Sequence, residues 1–202
     1  MKFEHYLKRV EDSKEFKKFR SQHKKSKLCA GFFVLDYESG KNMHQVDYAL
    51  PNGKIATFIL DDGIQVKISE QALKKELPEI KKNLQLDIDA LKGIVEDEMK
   101  NRVVTEKIKK IIAVLHVLDN QPVWNLQCIL EGLIMLNVHL DDKGKILKFE
   151  KHSLMEMIKT IPGNKLPQSQ EKQDKQNKVV KISPEELDKL QKELDKLKQV
   201  KK

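Results

Sequence analysis

The sequence predicts an α+β protein made of two helix-plus-antiparallel-sheet units, followed by a disordered linker and a C-terminal amphipathic helix. Three observations predict this class. Segments whose apolar residues are three and four positions apart, as in a helix, alternate twice with segments whose apolar residues recur at every second position, as in a strand. The phrase FILDDGIQVKIS at 58–69 is echoed by NVHLDDKGKILKF at 137–149, and each indicates a strand, a tight turn and a strand. Hydrophobic residues make up 39% and charged residues 35% of the 202 residues, which permits a core beneath an ionic surface.

The first unit, residues 1–82, begins with a predicted helix over 2–24. Asp12 followed by Glu15 resembles a capping box that restarts this helix. Four strands of an antiparallel meander follow over 27–39, 42–50, 54–60 and 64–68. Ser69 can cap a short helix over 70–77, which ends before Pro78. The predicted inward residues are Phe3, Tyr6, Leu7, Val10, Phe16 and Phe19 of the helix, and Ile64, Val66 and Ile68 of the last strand.

The second unit, residues 83–163, repeats this order. A helix capped by Asp87 carries an apolar stripe, and close packing on a sheet would explain Gly93 in its middle. Strands are predicted over 107–118, 123–130 and 134–140, and Leu147 with Phe149 closes the sheet. A short helix over 152–159 ends the unit. The stripe of the long helix consists of Leu84, Ile88, Leu91, Val95 and Met99.

The two Leu-Asp-Asp phrases are predicted to be the last hairpin turn of each unit. Aspartate and glycine suit such a turn because they tolerate left-handed or tight backbone geometry. Either an ancient duplication or independent selection of the same turn residues would account for the similarity of the two segments.

The second unit resembles the PepSY domain family over residues 84–150. The resemblance rests on the helix LDIDALKGIVEDEMK, the strand PVWNLQCIL and the hairpin NVHLDDKGKILKF, with Trp124, Asp141, Gly144 and Ile146 as matched positions. It implies one helix packed on a short antiparallel sheet, of PepSY-like or cystatin-like form. PepSY domains are mostly extracytoplasmic and are associated with binding or restraining peptidases, so the resemblance also implies that this unit binds a peptide or protein.

The C-terminal part has a different composition. Residues 164–182 contain few large apolar residues and are predicted to be a disordered linker. Residues 183–202 predict a helix that Ser183 caps, with Pro184 at its first position. Its leucines form a heptad seam that needs a partner or another copy of the chain to be buried. The seam consists of Leu187, Leu190, Leu194 and Leu197.

The formal charge of +8 is concentrated at the ends of the chain. Residues 1–28 carry +6 and residues 164–202 carry +4, whereas the middle carries −2. Only Arg9, Arg20 and Arg102 among the 39 basic residues are arginine, the side chain best suited to bidentate phosphate recognition. A lysine-rich solvated surface is therefore the favoured interpretation, and nucleic-acid binding is an alternative that is not favoured.

Cellular location is predicted from cysteine use and from hydropathy. Cys29 and Cys128 each lie in an apolar run, outside any metal-binding spacing, which predicts two buried free thiols in a reducing compartment. The first sixteen residues carry charges throughout, and no apolar run is long enough to span a bilayer. We therefore expect a cytoplasmic protein with no membrane association.

The sequence contains no nucleotide loop, hydrolase nucleophile or zinc pattern, so no enzyme activity and no cofactor are predicted. His44 is predicted to be a hydrogen-bonded core histidine, and Trp124 a core residue. His139 beside Asp141 and Asp142 could form a general base or a weak metal site, but a solvated hairpin end is favoured.

The outward-facing residues of the second sheet are polar and short of charge, as expected of a covered or partner-binding face. Packing of one unit on the other accounts for them equally well. We expect a non-enzymatic interaction module that binds a protein or peptide. The alternative is salt-sensitive, sequence-independent association with nucleic acid or ribosomes through the lysine-rich ends. The candidate sheet-face residues are Asn125, Gln127, Met135, Asn137 and His139.

Overall fold

Two short helices begin the chain in a computed structural model that describes residues 1–74, 76–81 and 83–153. Helix α1 spans Phe3–Asp12 and α2 spans Lys14–Gln22. The predicted restart is present, but Ser13 is the capping residue, since its Oγ accepts the Phe16 N–H at 3.0 Å. Asp12 is still inside α1, so the capping box predicted from it is wrong. The predicted inward residues of both helices are buried.

Eight strands form one antiparallel sheet, which confirms the α+β class. The spatial order is β4-β3-β2-β1-β5-β6-β7-β8, so each predicted meander is present and the two are joined where β1 pairs with β5. All described residues lie in one compact unit. The strands are β1 Lys27–Asp36, β2 Met43–Ala49, β3 Ile55–Ile59, β4 Gln65–Ile68, β5 Ile108–Leu118, β6 Gln121–Leu130, β7 Ile134–Asp141 and β8 Ile146–Ser153.

The strand register repeats between the two halves of the sheet. Val46 of β2 pairs with Phe58 of β3. Leu126 of β6 pairs with Val138 of β7, and each residue lies 80 positions after its counterpart. The same offset separates the two Leu-Asp-Asp phrases, which form the β3–β4 and β7–β8 turns as predicted.

The segment between β4 and the next helix is not helical at any described position, so the helix predicted over 70–77 is wrong. Ser69 does not cap a helix, because its Oγ accepts the Ile55 N–H at 3.0 Å. The Leu73 N–H donates to the Gly53 carbonyl at 2.8 Å. Backbone donors that a helix would use are therefore bonded to the ends of the sheet strands.

Helix α3 spans Leu91–Asn101 and follows a single 3₁₀ turn over Ile88–Ala90. Asp87 caps that turn as predicted, since its side chain accepts the Asp89 N–H at 3.0 Å. The apolar stripe is buried. The explanation offered for Gly93 is wrong, because a Cβ built there would have no neighbouring atom within 4 Å.

One hydrophobic core lies between the three described helices and the sheet. Trp124 is completely buried, as predicted, with its ring centroid 5.9 Å from that of Phe33. Phe149 packs against this core, but Leu147 is 53% exposed, so the prediction that both close the sheet is wrong for Leu147. The β7–β8 register shifts between His139 and Leu140, which makes Leu147 the extra residue of a bulge.

The far end of the chain lies outside the described residues. Of the helix predicted over 152–159, residues 152 and 153 belong to β8 and the remainder is not described. The predicted linker over 164–182 and the predicted helix over 183–202 also lie outside, together with the four leucines of its seam, Leu187, Leu190, Leu194 and Leu197.

Candidate functional site

The candidate site is the face of the sheet that no described helix covers, called here the outer face. Side chains alternate between the two faces along each strand. On β6, Trp124, Leu126 and Cys128 point toward the helices and are buried, whereas Asn125 is half-buried and Gln127 is exposed on the outer face. The period-two pattern therefore predicts correctly which residues face away from the core.

All five predicted sheet-face residues lie on this outer face. Asn125 of β6 is opposite His139 of β7, and Gln127 is opposite Asn137. Met135 lies further along β7, opposite Ile129. The structure thus brings four polar side chains together as two facing cross-strand pairs.

A shallow groove of about 330 Å³ runs across the outer face over these pairs. Met135 does not line it. The apolar residues of the groove were not identified from the sequence. Alternation along β1 and β5 would have shown that they face away from the core. Their position beside the polar pairs depends on the pairing of β1 with β5, which no local pattern indicates. The groove is lined by Phe32, Ile112, Val114, Asn125, Gln127, Asn137, His139 and Lys148.

Asn137 carries an unpaired hydrogen-bonding atom in this groove. Its Oδ1 is buried and has no hydrogen-bond partner. Among the described side chains with such an atom, Asn137 is the one that lines the groove. A buried acceptor left unpaired costs about 1–3 kcal/mol, so a ligand donor would recover stabilisation once the Asn137 amide turns its oxygen toward the groove.

Burial is the main influence on the protonation of the groove histidine. Burial, followed by the charges of Lys148 and His116, lowers the pKa of His139 below its usual value of 6.5. The neutral imidazole offers one donor and one acceptor. Lys148 is held by Glu150 at 3.0 Å. The groove is therefore a mixture of neutral hydrogen-bonding groups with a single lysine at its rim.

His44 is the hydrogen-bonded histidine that the sequence predicts, and it lies on the helix side of β2. Its Nδ1 is 2.8 Å from Asp61 Oδ1, and its backbone N–H donates to Asp61 Oδ2 at 2.9 Å. The ring stacks on Tyr6, with centroids 4.8 Å apart. These contacts give Asp61 a structural role at the β3–β4 turn.

The other aspartate pair is also engaged in a turn. Asp141 Oδ1 accepts the N–H groups of Lys143 and Lys145, both at 2.9 Å. Asp142 Oδ2 accepts the Gln85 N–H at 3.0 Å. Neither aspartate is hydrogen-bonded to His139 within the described part of the chain. No group of three His, Cys, Asp or Glu side chains among the described residues has the geometry of a metal site.

The two cysteines are buried free thiols, as predicted. Burial raises the pKa of Cys128 to about 12. Burial and the neighbouring carboxylate of Asp47 raise the pKa of Cys29 to about 12 as well. Neither thiol is a nucleophile at neutral pH, because the reactive form is the thiolate.

The three arginines are engaged within the fold. Arg9 donates to the Leu60 carbonyl at 3.1 Å, and Arg20 donates to the Ser26 carbonyl at 2.6 Å. Arg102 binds Glu98 at 2.6 Å. The basic surface of residues 1–28 therefore consists of eight exposed lysines together with Arg9 and Arg20, which are exposed but hydrogen-bonded within the fold.

Comparisons with known proteins give one structural likeness. No protein-family model matches the chain, and no curated protein matches it. A crystal structure described as "a putative lipoprotein" from Clostridium difficile 630 is similar to it, with 14% sequence identity and a TM-score of 0.47. The match covers 68% of this chain and 90% of that one.

That likeness contradicts the cytoplasmic location expected from the sequence. The expectation depended on charged N-terminal residues and reduced thiols, and burial alone keeps both thiols unpaired, so the cytoplasmic assignment is withdrawn. Among the described helices, none is long and apolar enough to cross a bilayer.

Proposed function

We propose that this chain is a non-enzymatic interaction module that binds a protein or peptide partner on the outer face. The observation that carries the proposal is the uncovered groove with the unpaired Asn137 Oδ1. Peptide groups supply N–H donors, which are what this acceptor lacks. Side-chain amides of Asn125 and Gln127 offer both donors and acceptors to the same backbone.

The apolar part of the groove complements the polar pairs. Phe32 of β1 lies opposite Val114 of β5, and Val114 lies opposite Asn125 of β6. A peptide crossing these strands would place an apolar side chain over Phe32 and Val114 while its backbone meets the amides. Binding sites commonly combine apolar contact area with a few placed polar groups in this way.

A binding role fits the state of the chemically reactive side chains better than catalysis does. The thiols are buried and protonated, and the aspartates of both turns accept hydrogen bonds within the fold. His139 is the one histidine that lines the groove, and its neighbours there are amides rather than a nucleophile. These facts support an interaction module.

We further infer that the chain contains two units of one kind, residues 1–82 and 83–163, the second being PepSY-like. The repeated register supports this, since Val46–Phe58 and Leu126–Val138 are equivalent pairs. The outer faces differ between the halves. Where the second half has Asn137 and His139, equivalent positions of the first half are threonine and isoleucine. Partner binding is therefore assigned to the second half.

The predicted leucine seam of residues 183–202 is proposed as a second contact, with a partner or with another copy of the chain. The support is its sequence: an apolar row on a capped helix needs a surface to cover it. Replacing Leu190 and Leu194 with aspartate in the full-length chain would remove that contact and leave the outer face intact.

The outer-face proposal is tested with a pair of matched substitutions. Gln127→Arg places a long charged side chain in the groove, and Gln85→Arg places the same side chain at an exposed position outside it. A partner captured by the full-length protein should be lost with Gln127→Arg and retained with Gln85→Arg. Equal capture by both variants contradicts the proposal.

One observation favours the alternative, nucleic-acid or ribosome association through the lysine-rich ends. All eight lysines within residues 1–28 are exposed, and in the described part of the chain only Lys27 forms an ion pair, with Glu76 at 3.1 Å. Such binding should weaken steeply with added salt. Fluorescence anisotropy with labelled single-stranded RNA tests it, since negligible binding at low salt contradicts this alternative.

A further inference from the structure

The edge strand β4 has backbone groups that are not used by the sheet. The Ser69 N–H donates to the Ile55 carbonyl at 2.8 Å, which fixes the phase of the β3–β4 ladder. Because hydrogen-bonding residues alternate in an antiparallel pair, Lys67 and Gln65 bond toward β3. The N–H and C=O groups of Val66 and Ile68 therefore point away from the sheet, toward its open edge.

The side chains at this edge are apolar and accessible. Val66 is 39% and Ile68 is 45% exposed, and both lie on the helix side because their partners are Phe58 and Ala56. The opposite edge differs. Strand β8 carries Lys148, Glu150 and Lys151, and charged edge strands discourage pairing with other chains.

A groove of about 360 Å³ separates β4 from helix α2. Val66 and Ile68 form one wall, and Phe19 lies on the helix side of the groove. Lys14 and Lys18 stand at the rim, and Glu15 is the one acidic residue in the lining. The groove is therefore apolar inside and positively charged at its mouth.

We propose that β4 accepts an extended segment of a partner protein as a ninth strand, and that this segment alternates apolar and acidic residues. Its backbone bonds the outward N–H and C=O groups of Val66 and Ile68, the mode known as β-strand addition. Its apolar side chains enter the groove beside Val66 and Ile68. Its carboxylates meet Lys67 on the other side of the sheet, and the positive charge of Lys14 and Lys18 attracts the acidic segment as a whole at longer range.

Charge complementarity favours an acidic segment over a second copy of the chain as the partner of β4. Pairing two β4 strands would bring two Lys67 side chains and two lysine rims together, and like charges across strands are destabilising. An acidic strand removes that repulsion and gains attraction at Lys67. This surface is on β4 and α2, so it is separate from the outer-face groove of the proposed function.

The test uses the full-length protein and a synthetic peptide of alternating valine and glutamate. Amide chemical shifts locate the peptide, and fluorescence anisotropy gives its affinity. Two N-methylated versions, one modified at the valines and one at the glutamates, are matched controls. Only one of these two sets of N–H groups can face β4, so one version should bind and the other should lose about tenfold or more in affinity.

Protein variants separate this surface from the outer face. Val66→Ser keeps the backbone of β4 and its charge and removes an apolar wall, so it should weaken the peptide about tenfold or more. Gln127→Arg should leave peptide affinity unchanged, even though it disrupts the proposed outer-face site.

Four results would overturn the proposal. They are the absence of binding at millimolar peptide, equal affinity of the two N-methylated versions, shifts confined to the outer face, and pairing of β4 between copies of the chain without peptide.

Discussion

Gly93 is expected to be a site where alanine stabilises the protein. The residue is the third in helix α3, and a Cβ built on it would have no atom within 4 Å outside its own helix backbone. Alanine therefore adds neither a clash nor a new packing contact. The expected gain comes from the backbone, because glycine loses more conformational freedom on folding than alanine does.

The magnitude follows from this geometry. In a helix interior, glycine is less favourable than alanine by about 0.8–1.0 kcal/mol. Gly93 lies in the first turn of α3, so we expect Gly93→Ala to raise the free energy of unfolding by about 0.5–1 kcal/mol. For a protein of this size, 1 kcal/mol corresponds to a Tm shift of roughly 2–4 °C.

Urea denaturation followed by far-ultraviolet circular dichroism measures this effect. The midpoint should rise and the slope should stay unchanged, since the exposed surface is the same. Gly144→Ala is the control. Gly144 has a φ of +82°, and its Cβ would lie 3.1 Å from Ile94 Cδ1, so the same substitution should destabilise. A Gly93→Ala protein that is no more stable than the wild type would refute the reasoning.

Three further predictions follow from burial and charge. Gly31→Ala should lower the free energy of unfolding by about 1–3 kcal/mol in the same urea experiment, because the new Cβ would lie 2.8 Å from the Phe3 ring; an unchanged midpoint would contradict this. Cys29 and Cys128 should resist iodoacetamide in the native protein and react after unfolding, as mass spectrometry can show; rapid native labelling would contradict their burial. The folded state lowers the pKa of His139, so its contribution to stability is complete above about pH 6.5 and is lost as pH falls toward the folded pKa. His139→Gln should remove this part of the pH dependence in denaturation curves, and an identical pH profile would contradict it.

Local patterns predicted most helices and strands because the formation of these elements depends largely on residues that are close together in the chain. Period-two runs identify the strands and their inward faces, as Trp124 and Leu126 illustrate. The helix predicted over 70–77 failed for a non-local reason. Ser69 and Leu73 are suitable for a helix start, but their hydrogen bonds go to Ile55 and Gly53 of the sheet. Tertiary hydrogen bonds overrode local propensity there.

The candidate site was predicted in part for the same reason. Alternation along β6 and β7 places Asn125 and Asn137 on one face without any knowledge of the rest of the sheet. The apolar side of the groove needs Phe32 beside Val114, two residues far apart in the chain. Their contact comes from the pairing of two central strands, which the sum of many distant packing contacts decides.

Sequence patterns alone identified most residues that face the core, where the chain turns and which side chains are polar on the outer face, but Val66 and Ile68, predicted to be inward, are 39% and 45% exposed. These properties follow from side-chain periodicity and from the backbone needs of aspartate and glycine. The three-dimensional arrangement was needed to show that one sheet contains both meanders, that Gly93 faces open space, and that Val66 and Ile68 turn their backbone groups to a free edge. Each of these depends on which atoms lie near a residue in space, and the local order of residues along the chain does not specify those neighbours.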